Sequence, residues 1–289
     1  MKTVKTSLFY LVLTAGAASM IFPFLWMILT SVKPESEIFA KTITLHNILP
    51  SHWRWDNYSR AWQAAPFGRY FFNTVVVAVG GTSLMLVISS MAAYAFARLR
   101  FPGRQAIFIV LLATMMIPAQ VTMIPSFIIL RHIPLFGGNN LLGSGGHGWL
   151  NNFLGLIVPG SAGVFGIFML RQFFQTLPRE MEDAGRIDGA TESIIFWRII
   201  LPLSKPALAA LGTFAFTARW NDFLGPLLIM SDESMKTLQV GLQVFQSQYG
   251  AQWDLLMAGT VLVTLPVIVV FLLGQRYFVS GIALGGVKG

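Results

Sequence analysis

Residues 71 to 97 read FFNTVVVAVGGTSLMLVISSMAAYAFA, a run with no Asp, Glu, Lys or Arg. A helix crosses about 30 Å of hydrocarbon with about 20 apolar residues, and this run exceeds that length before it meets Arg98 and Arg100. A water-facing helix would carry charged residues on one face at a 3.6-residue period, and this one carries none. Comparable stretches lie near 8 to 30, 106 to 130, 153 to 170, 207 to 230 and 256 to 279, which makes six predicted spans. The expected fold class is therefore an all-α polytopic membrane protein with six transmembrane helices, forming one membrane domain over 1–289 with a core from about 71 to 279.

Composition agrees. The 289 residues are 55% hydrophobic and 11% charged, against about 25% charged in soluble domains. There is no cysteine, which removes disulfides, thiolate nucleophiles and thiolate metal sites together. A formal charge of +8 would suggest nucleic acid in a soluble protein, but the basic residues are scattered and follow the loops, so the lipid bilayer rather than nucleic acid is the expected partner. The first span follows Lys2 and Lys5 and passes a cleavage-like Ala15-Gly16-Ala17. Its apolar run continues through Trp26 to Leu29, too long for a signal peptide, so a retained span is favoured.

Sidedness follows from the loops. One set holds Lys2, Lys5, Arg98, Arg100, Arg104, Arg171, Arg179, Arg186, Arg198, Lys205, Arg276 and Lys288. The other holds Lys33, Lys41, Arg54, Arg60, Arg69, Arg131 and Lys236, most of them in one long connection, 31 to 70. The first set is expected to be cytoplasmic, with both termini inside. On the outer side, His46, His52, Trp53, Trp55, Tyr58 and Trp62 read as an interfacial belt. Gly143-Ser144-Gly145-Gly146-His147-Gly148 formally matches G-x-G-x-x-G. It has no βαβ context and is read as a flexible linker. Another outer loop runs from 231 to 255.

The cytoplasmic loop 178 to 206 carries the function. Leu177-Pro178 opens a helix with Glu180, Glu182 and Asp183 in its first turn, as the helix dipole prefers. Asp188-Gly189 breaks it. A second short helix follows, with Thr191 as N-cap and Ile194, Ile195, Trp197, Arg198 and Ile199 giving an amphipathic turn or two. Pro202 is expected to end this element and Pro206 to introduce the fifth span. Such a pair of helices beneath a bundle suits docking to another protein and equally suits capping the bundle.

Asp183-Ala184-Gly185, Gly189 and Ile199-Ile200-Leu201-Pro202 resemble the signature (EAA) loop of permease subunits of bacterial ABC importers, in which an acid and two small residues precede a glycine and an Ile-x-Leu-Pro follows. Two departures stand out: Asp183 shortens the usual Glu, and Gly185 replaces the second Ala. The resemblance extends over the chain to the second permease of maltose-type carbohydrate importers, through Thr237-Leu238-Gln239-Val240-Gly241-Leu242, Leu265-Pro266, Gln275-Arg276 and the terminal Gly285-Gly286-Val287-Lys288-Gly289. It implies a type I importer fold, with Glu182, Asp183, Ala184, Gly185, Asp188, Gly189, Ala190, Ile199, Leu201 and Pro202 forming a coupling helix. In that family the glycine-rich tail, here within 280–289, reaches the interface of the ATPases. The implied partners are a second permease, two ATP-binding subunits that hold ATP and Mg, and an extracellular or periplasmic sugar-binding protein. This chain itself has no cofactor and is no enzyme, since Gly-Lys-Ser/Thr occurs nowhere in it.

For the substrate path the sequence offers Arg219-Trp220-Asn221-Asp222 in the fifth span. Arg219 and Asp222 can pair on one helix face and simply neutralise each other. Alternatively, Trp220 stacks on a sugar ring and Asn221 meets a hydroxyl. Gln120, between Pro118 and Pro125, either lines the cavity or marks a kink filled by neighbours. The resemblance aligns the loop from Gln243 to Gln252 with a segment entering the binding protein's cleft, where Gln243, Gln246, Gln248 and Gln252 supply sugar-compatible groups. A secondary transporter coupled through Arg219 and Asp222 is the rival class. An intramembrane enzyme fails for want of an acid–base pair within the spans.

Overall fold

The computed structural model describes residues 2–39, 48–247 and 250–285. Lys41, His46, Gln248 and Gly286, Val287, Lys288 and Gly289 lie outside the described residues. Gly285 is the last residue of a long helix, Trp253–Gly285.

The protein is helical, and three helices are long and apolar enough to cross a membrane unbroken: Lys5–Ser31, Phe67–Arg98 and Trp253–Tyr277. Three further pairs pass the same test only as bent spans: Arg104–Met116 with Ala119–Arg131 at 101°, Phe153–Ser161 with Val164–Thr176 at 42°, and Glu192–Leu203 with Lys205–Trp220 at 77°. The spans expected near 106–130, 153–170 and 207–230 fall in these bent pairs, which make six spans if each pair is one. In the first, Ile117 adopts ψ 116 before Pro118, because a residue preceding proline is pushed out of the α region, and the chain restarts at a new angle. In the second, a 3-10 turn at Pro159–Ser161 leads into non-helical Ala162 and Gly163. The third ends at Trp220, and a separate short helix, Leu224–Ile229, takes up the remainder. Its sharp bend lies earlier, at Ser204. Pro202 therefore does not end the preceding element, which runs through Leu203, while Pro206 occupies the first turn of Lys205–Trp220, where a missing N–H costs nothing.

Packing divides the chain into two compact units. One comprises residues 1–68 and 241–266. There, Asn57 Nδ2 donates to Ser31 O and Lys33 O at 3.0 and 3.1 Å, tying the segment after the first helix to helix Asp56–Gln63. Phe67 stacks on Phe245 with centroids 5.8 Å apart. The first helix itself buries none of its most apolar window within the chain, as expected for a helix whose surroundings are lipid or another subunit.

The other unit comprises residues 69–240 and 267–289. Its core joins Tyr94, Phe96, Phe108, Ile167, Leu170, Phe174, Ile195, Ile200 and Leu211, with the Arg171 guanidinium 4.1 Å from the Phe108 ring centroid. The glycine-rich segment 143–148 belongs here and corrects the flexible-linker reading. Asn140 Oδ1 accepts from the N–H groups of Leu142 and Ser144 at 2.9 and 3.1 Å, and Gly146 N–H donates to Asn139 Oδ1 at 2.8 Å. A Cβ at Gly143 would sit 2.0 Å from His132 O, and one at Gly148 2.2 Å from Leu130 O. These glycines let backbone pack on backbone, which composition alone cannot distinguish from flexibility.

Candidate functional site

The loop that the sequence singled out is a helix, Glu180–Ile187, followed by a second, Glu192–Ile195, which continues through a π turn, Phe196–Ile200, to Leu203. The first helix ends in a Schellman motif: Ala190 N–H donates to Gly185 O at 2.9 Å and Gly189 N–H to Arg186 O at 3.1 Å. That closure requires the left-handed φ of +78° found at Gly189. Thr191 then caps the second helix, its side chain accepting from Ile194 N–H at 3.4 Å. The expected break and cap are both in place.

One face of the loop is fastened to the bundle. Ile195 and Ile200 are fully buried, and the Phe196 ring lies 5.2 Å from Tyr94. Glu182 reaches the C-terminal end of the Phe67–Arg98 helix, where Arg98 Nε lies 2.6 Å from Oε1 and both side chains are 3% exposed. Arg98 also donates from Nη2 to Leu177 O at 2.7 Å, so one guanidinium holds the entry and the first turn of the loop helix. Tyr94 donates to Glu192 Oε2 at 2.6 Å. Arg186 joins the two helices through Glu192 at 2.9 Å, and pairs within its own helix with Asp183 at 2.9 Å and Glu182 at 3.5 Å. Its hydrogen bond to Glu192 is the leading reason that its guanidinium is held above its ordinary pKa. Gly185 closes the angle: a Cβ there would lie 3.0 Å from Ile199 Cδ1 and 3.4 Å from Ile195 Cγ1.

The other face is open. Ile187 is 86% exposed, and nothing lies within 4 Å of a Cβ placed on Gly189. Asp183, Ala184 and Asp188 face out with them. The candidate residues therefore divide: Glu182, Gly185, Ile199 and Leu201 face the bundle to differing depths, whereas Asp183, Ala184, Asp188, Gly189 and Pro202 are exposed and Ala190 is intermediate. Sequence reasoning missed Arg98, Tyr94, Glu192 and Ile187. Arg98 had a signal, as the first base after an uncharged span and the natural counter-charge for a carboxylate-rich loop.

The candidate path residues rearrange. Trp220 is 1% exposed and packed between Phe71 and Phe216, so it offers no face to a sugar. Arg219 and Asp222 make no direct ion pair. The helix ends between them, Arg219 donating from Nη2 to Gly160 O at 2.6 Å while Asp222 Oδ1 accepts from Gly225 N–H at 3.2 Å. Asn221 Oδ1 accepts from Gln239 Nε2 at 3.1 Å. Gln120 is exposed in the first turn after the Pro118 bend. Gln243, Gln246 and Gln252 are exposed around a two-stranded turn in which Gln246 pairs with Ala251. Among the described residues no cluster of His, Cys, Asp or Glu could hold a metal ion.

Comparison with known proteins places these features. The chain is 37% identical, over 93% of its length and 91% of the relative's, to the arabinooligosaccharides transport system permease protein AraQ of Bacillus subtilis. It is 35% identical, over 94% of both chains, to the sn-glycerol-3-phosphate transport system permease protein UgpE of Yersinia enterocolitica. In fold it matches a chain of a bacterial ABC transporter involved in the import of the acidic polysaccharide alginate, with a TM-score of 0.79 at 24% identity over 96% of this chain and 97% of that one. A family model covers residues 85–283, a stretch that contains the Arg98 anchor, both loop helices and most of the last helix. The chain therefore belongs to the family of binding-protein-dependent transport system inner membrane components.

Proposed function

We propose that this chain is one of two permeases in an ATP-driven importer, passing a sugar, oligosaccharide or similar polyol from an extracellular or periplasmic binding protein across the inner membrane. In this reading both termini and the loop 178–206 are cytoplasmic, and ATP and Mg reside in two partner ATPase subunits. The observation that carries the reading is the two-faced loop. Glu182 is pinned to Arg98 within the bundle, while Ile187 and the open side of Gly189 wait uncovered. A rigid element fastened on one face and bare on the other transmits the motion of whatever grips it. Inverting a two-state bundle from 1:99 to 99:1 takes about 5.5 kcal/mol, so the grip must be firm. The tail residues 285–289 would lie at the ATPase interface, and Gln243, Gln246, Gln248 and Gln252 would meet the binding protein.

The test is reconstitution of the whole complex in proteoliposomes. Ile187→Asp alters only the bare face and Asp183→Lys also removes the pairing with Arg186; both are expected to strip the ATPases from the purified complex and abolish uptake while bundle insertion is unchanged. Retention of the ATPases and of uptake in both variants would remove the loop from the coupling path. ATP-independent uptake by the chain alone would place it among secondary transporters.

A further inference from the structure

Arg219 is a cation within a membrane bundle that makes no direct ion pair, Asp222 acting on it only at longer range. No ion pair joins it to any described acid. Its contacts are to neutral acceptors: Gly160 O at 2.6 Å from Nη2 and Met85 Sδ at 3.5 Å from Nη1. Asp222, the nearest acid in sequence, is turned into the start of helix Leu224–Ile229 by the Gly225 N–H. A guanidinium carries five donors in a planar fork, so donors remain unfilled here.

The position is built to hold that group. A Cβ on Gly81 would fall 2.4 Å from Arg219 Nε, and one on Gly160 3.3 Å from Nη2. Two glycines on separate elements thus clear a slot in which the guanidinium lies half-buried. A charged side chain at mid-membrane costs about 2.5 to 3.5 kcal/mol on insertion scales and faces an interior rather than lipid. In the transport reading above, the exposed part of Arg219 is placed to face the passage that cargo follows. What a planar, half-satisfied guanidinium accepts in such a place is an oxyanion, held by two parallel charge-assisted hydrogen bonds.

We infer that Arg219 selects cargo bearing an oxyanion, a carboxylate or a phosphate on a sugar or polyol, as it crosses the bundle. The inference rests on the transport reading above and adds the charge of the cargo to it.

The experiment uses the assembled complex with its binding protein in proteoliposomes. It measures uptake and ATPase stimulation with three probes: a uronic-acid trisaccharide, a hexose phosphate and a neutral trisaccharide. At least one acidic probe is expected to be carried, and which one distinguishes carboxylate from phosphate. Arg219→Gln is expected to lower uptake of that probe roughly tenfold to a hundredfold, with partial recovery in Arg219→Lys, which keeps the charge and loses the fork. If Arg219→Gln prevents assembly, Gly81→Ala displaces the guanidinium without removing its charge and is expected to lower acidic uptake likewise. Uptake of the neutral probe alone, or acidic uptake unchanged in Arg219→Gln or Gly81→Ala, would overturn charge selection and leave the importer standing. Failure of the ATPase subunits to co-purify with this chain would remove the transport reading and the selection with it.

Discussion

Removing either member of the Arg98–Glu182 pair should loosen the coupling loop from the bundle. Both side chains are 3% exposed and their charged atoms lie 2.6 Å apart, so deleting Glu182 leaves the Arg98 charge buried on Leu177 O alone, and deleting Arg98 leaves the Glu182 carboxylate only the longer Arg186 contact at 3.5 Å. That situation costs about 3 to 5 kcal/mol, a large share of the roughly 5 to 15 kcal/mol that holds a domain folded. For a chain of this size about 3 kcal/mol corresponds to a fall in Tm of roughly 6 to 12 °C. Glu182→Ala and Arg98→Ala are each expected to show this fall in thermal unfolding of the purified complex in detergent. The double replacement Arg98→Met/Glu182→Leu removes both charges and is expected to recover more than half of it, since paired apolar residues tolerate such a site. In function, the single variants should hydrolyse ATP with reduced uptake, because the gripped element no longer pulls squarely on the bundle. Falls under about 2 °C in both singles, or a double variant as unstable as their sum, would refute the idea that this pair fastens the loop.

Gly185→Ala meets only the flexible end of Ile199 at 3.0 Å and should cost under about 1 kcal/mol, whereas Gly185→Val should overpack the angle between the helices by about 1 to 3 kcal/mol; urea midpoints of the two variants check this. Gly189→Ala has open space but must adopt φ +78°, so about 1 to 2 kcal/mol of loop stability is lost and Gly189→Asn should lose less, read by protease sensitivity of the loop. Gly143→Ala, whose Cβ would meet His132 O at 2.0 Å, should lower Tm by several degrees and speed hydrogen exchange through 132–152; a merely flexible linker would leave both unchanged.

Much of the fold was legible because apolar length and breaker residues act locally. The uncharged run 71–97, the Asp188-Gly189 break and the Thr191 cap all follow from chemistry within a turn or two of the residue concerned. The bends were harder. Pro118 announced a break, but only the neighbouring helices set its 101° angle, and the 77° bend fell at Ser204 rather than at Pro202. Trp220 shows a deeper limit, since an aromatic beside Arg and Asn in a span fits either a sugar platform or a core plug. Its burial between Phe71 and Phe216 decides for the core, a tertiary fact with no local signature. Likewise, Gly143, Gly146 and Gly148 look like linker residues until the carbonyls beside them are placed.

The absence of native cysteine allows the most direct measurement on the coupling loop: an Ile187→Cys variant, labelled with a membrane-impermeant maleimide in right-side-out and inverted vesicles, with and without the ATPase subunits. Labelling is expected only in inverted vesicles, and is expected to fall when the ATPases are assembled on the bare face. Labelling from the outer side, or labelling from the inner side that the ATPases leave unchanged, would contradict a motor gripping this loop.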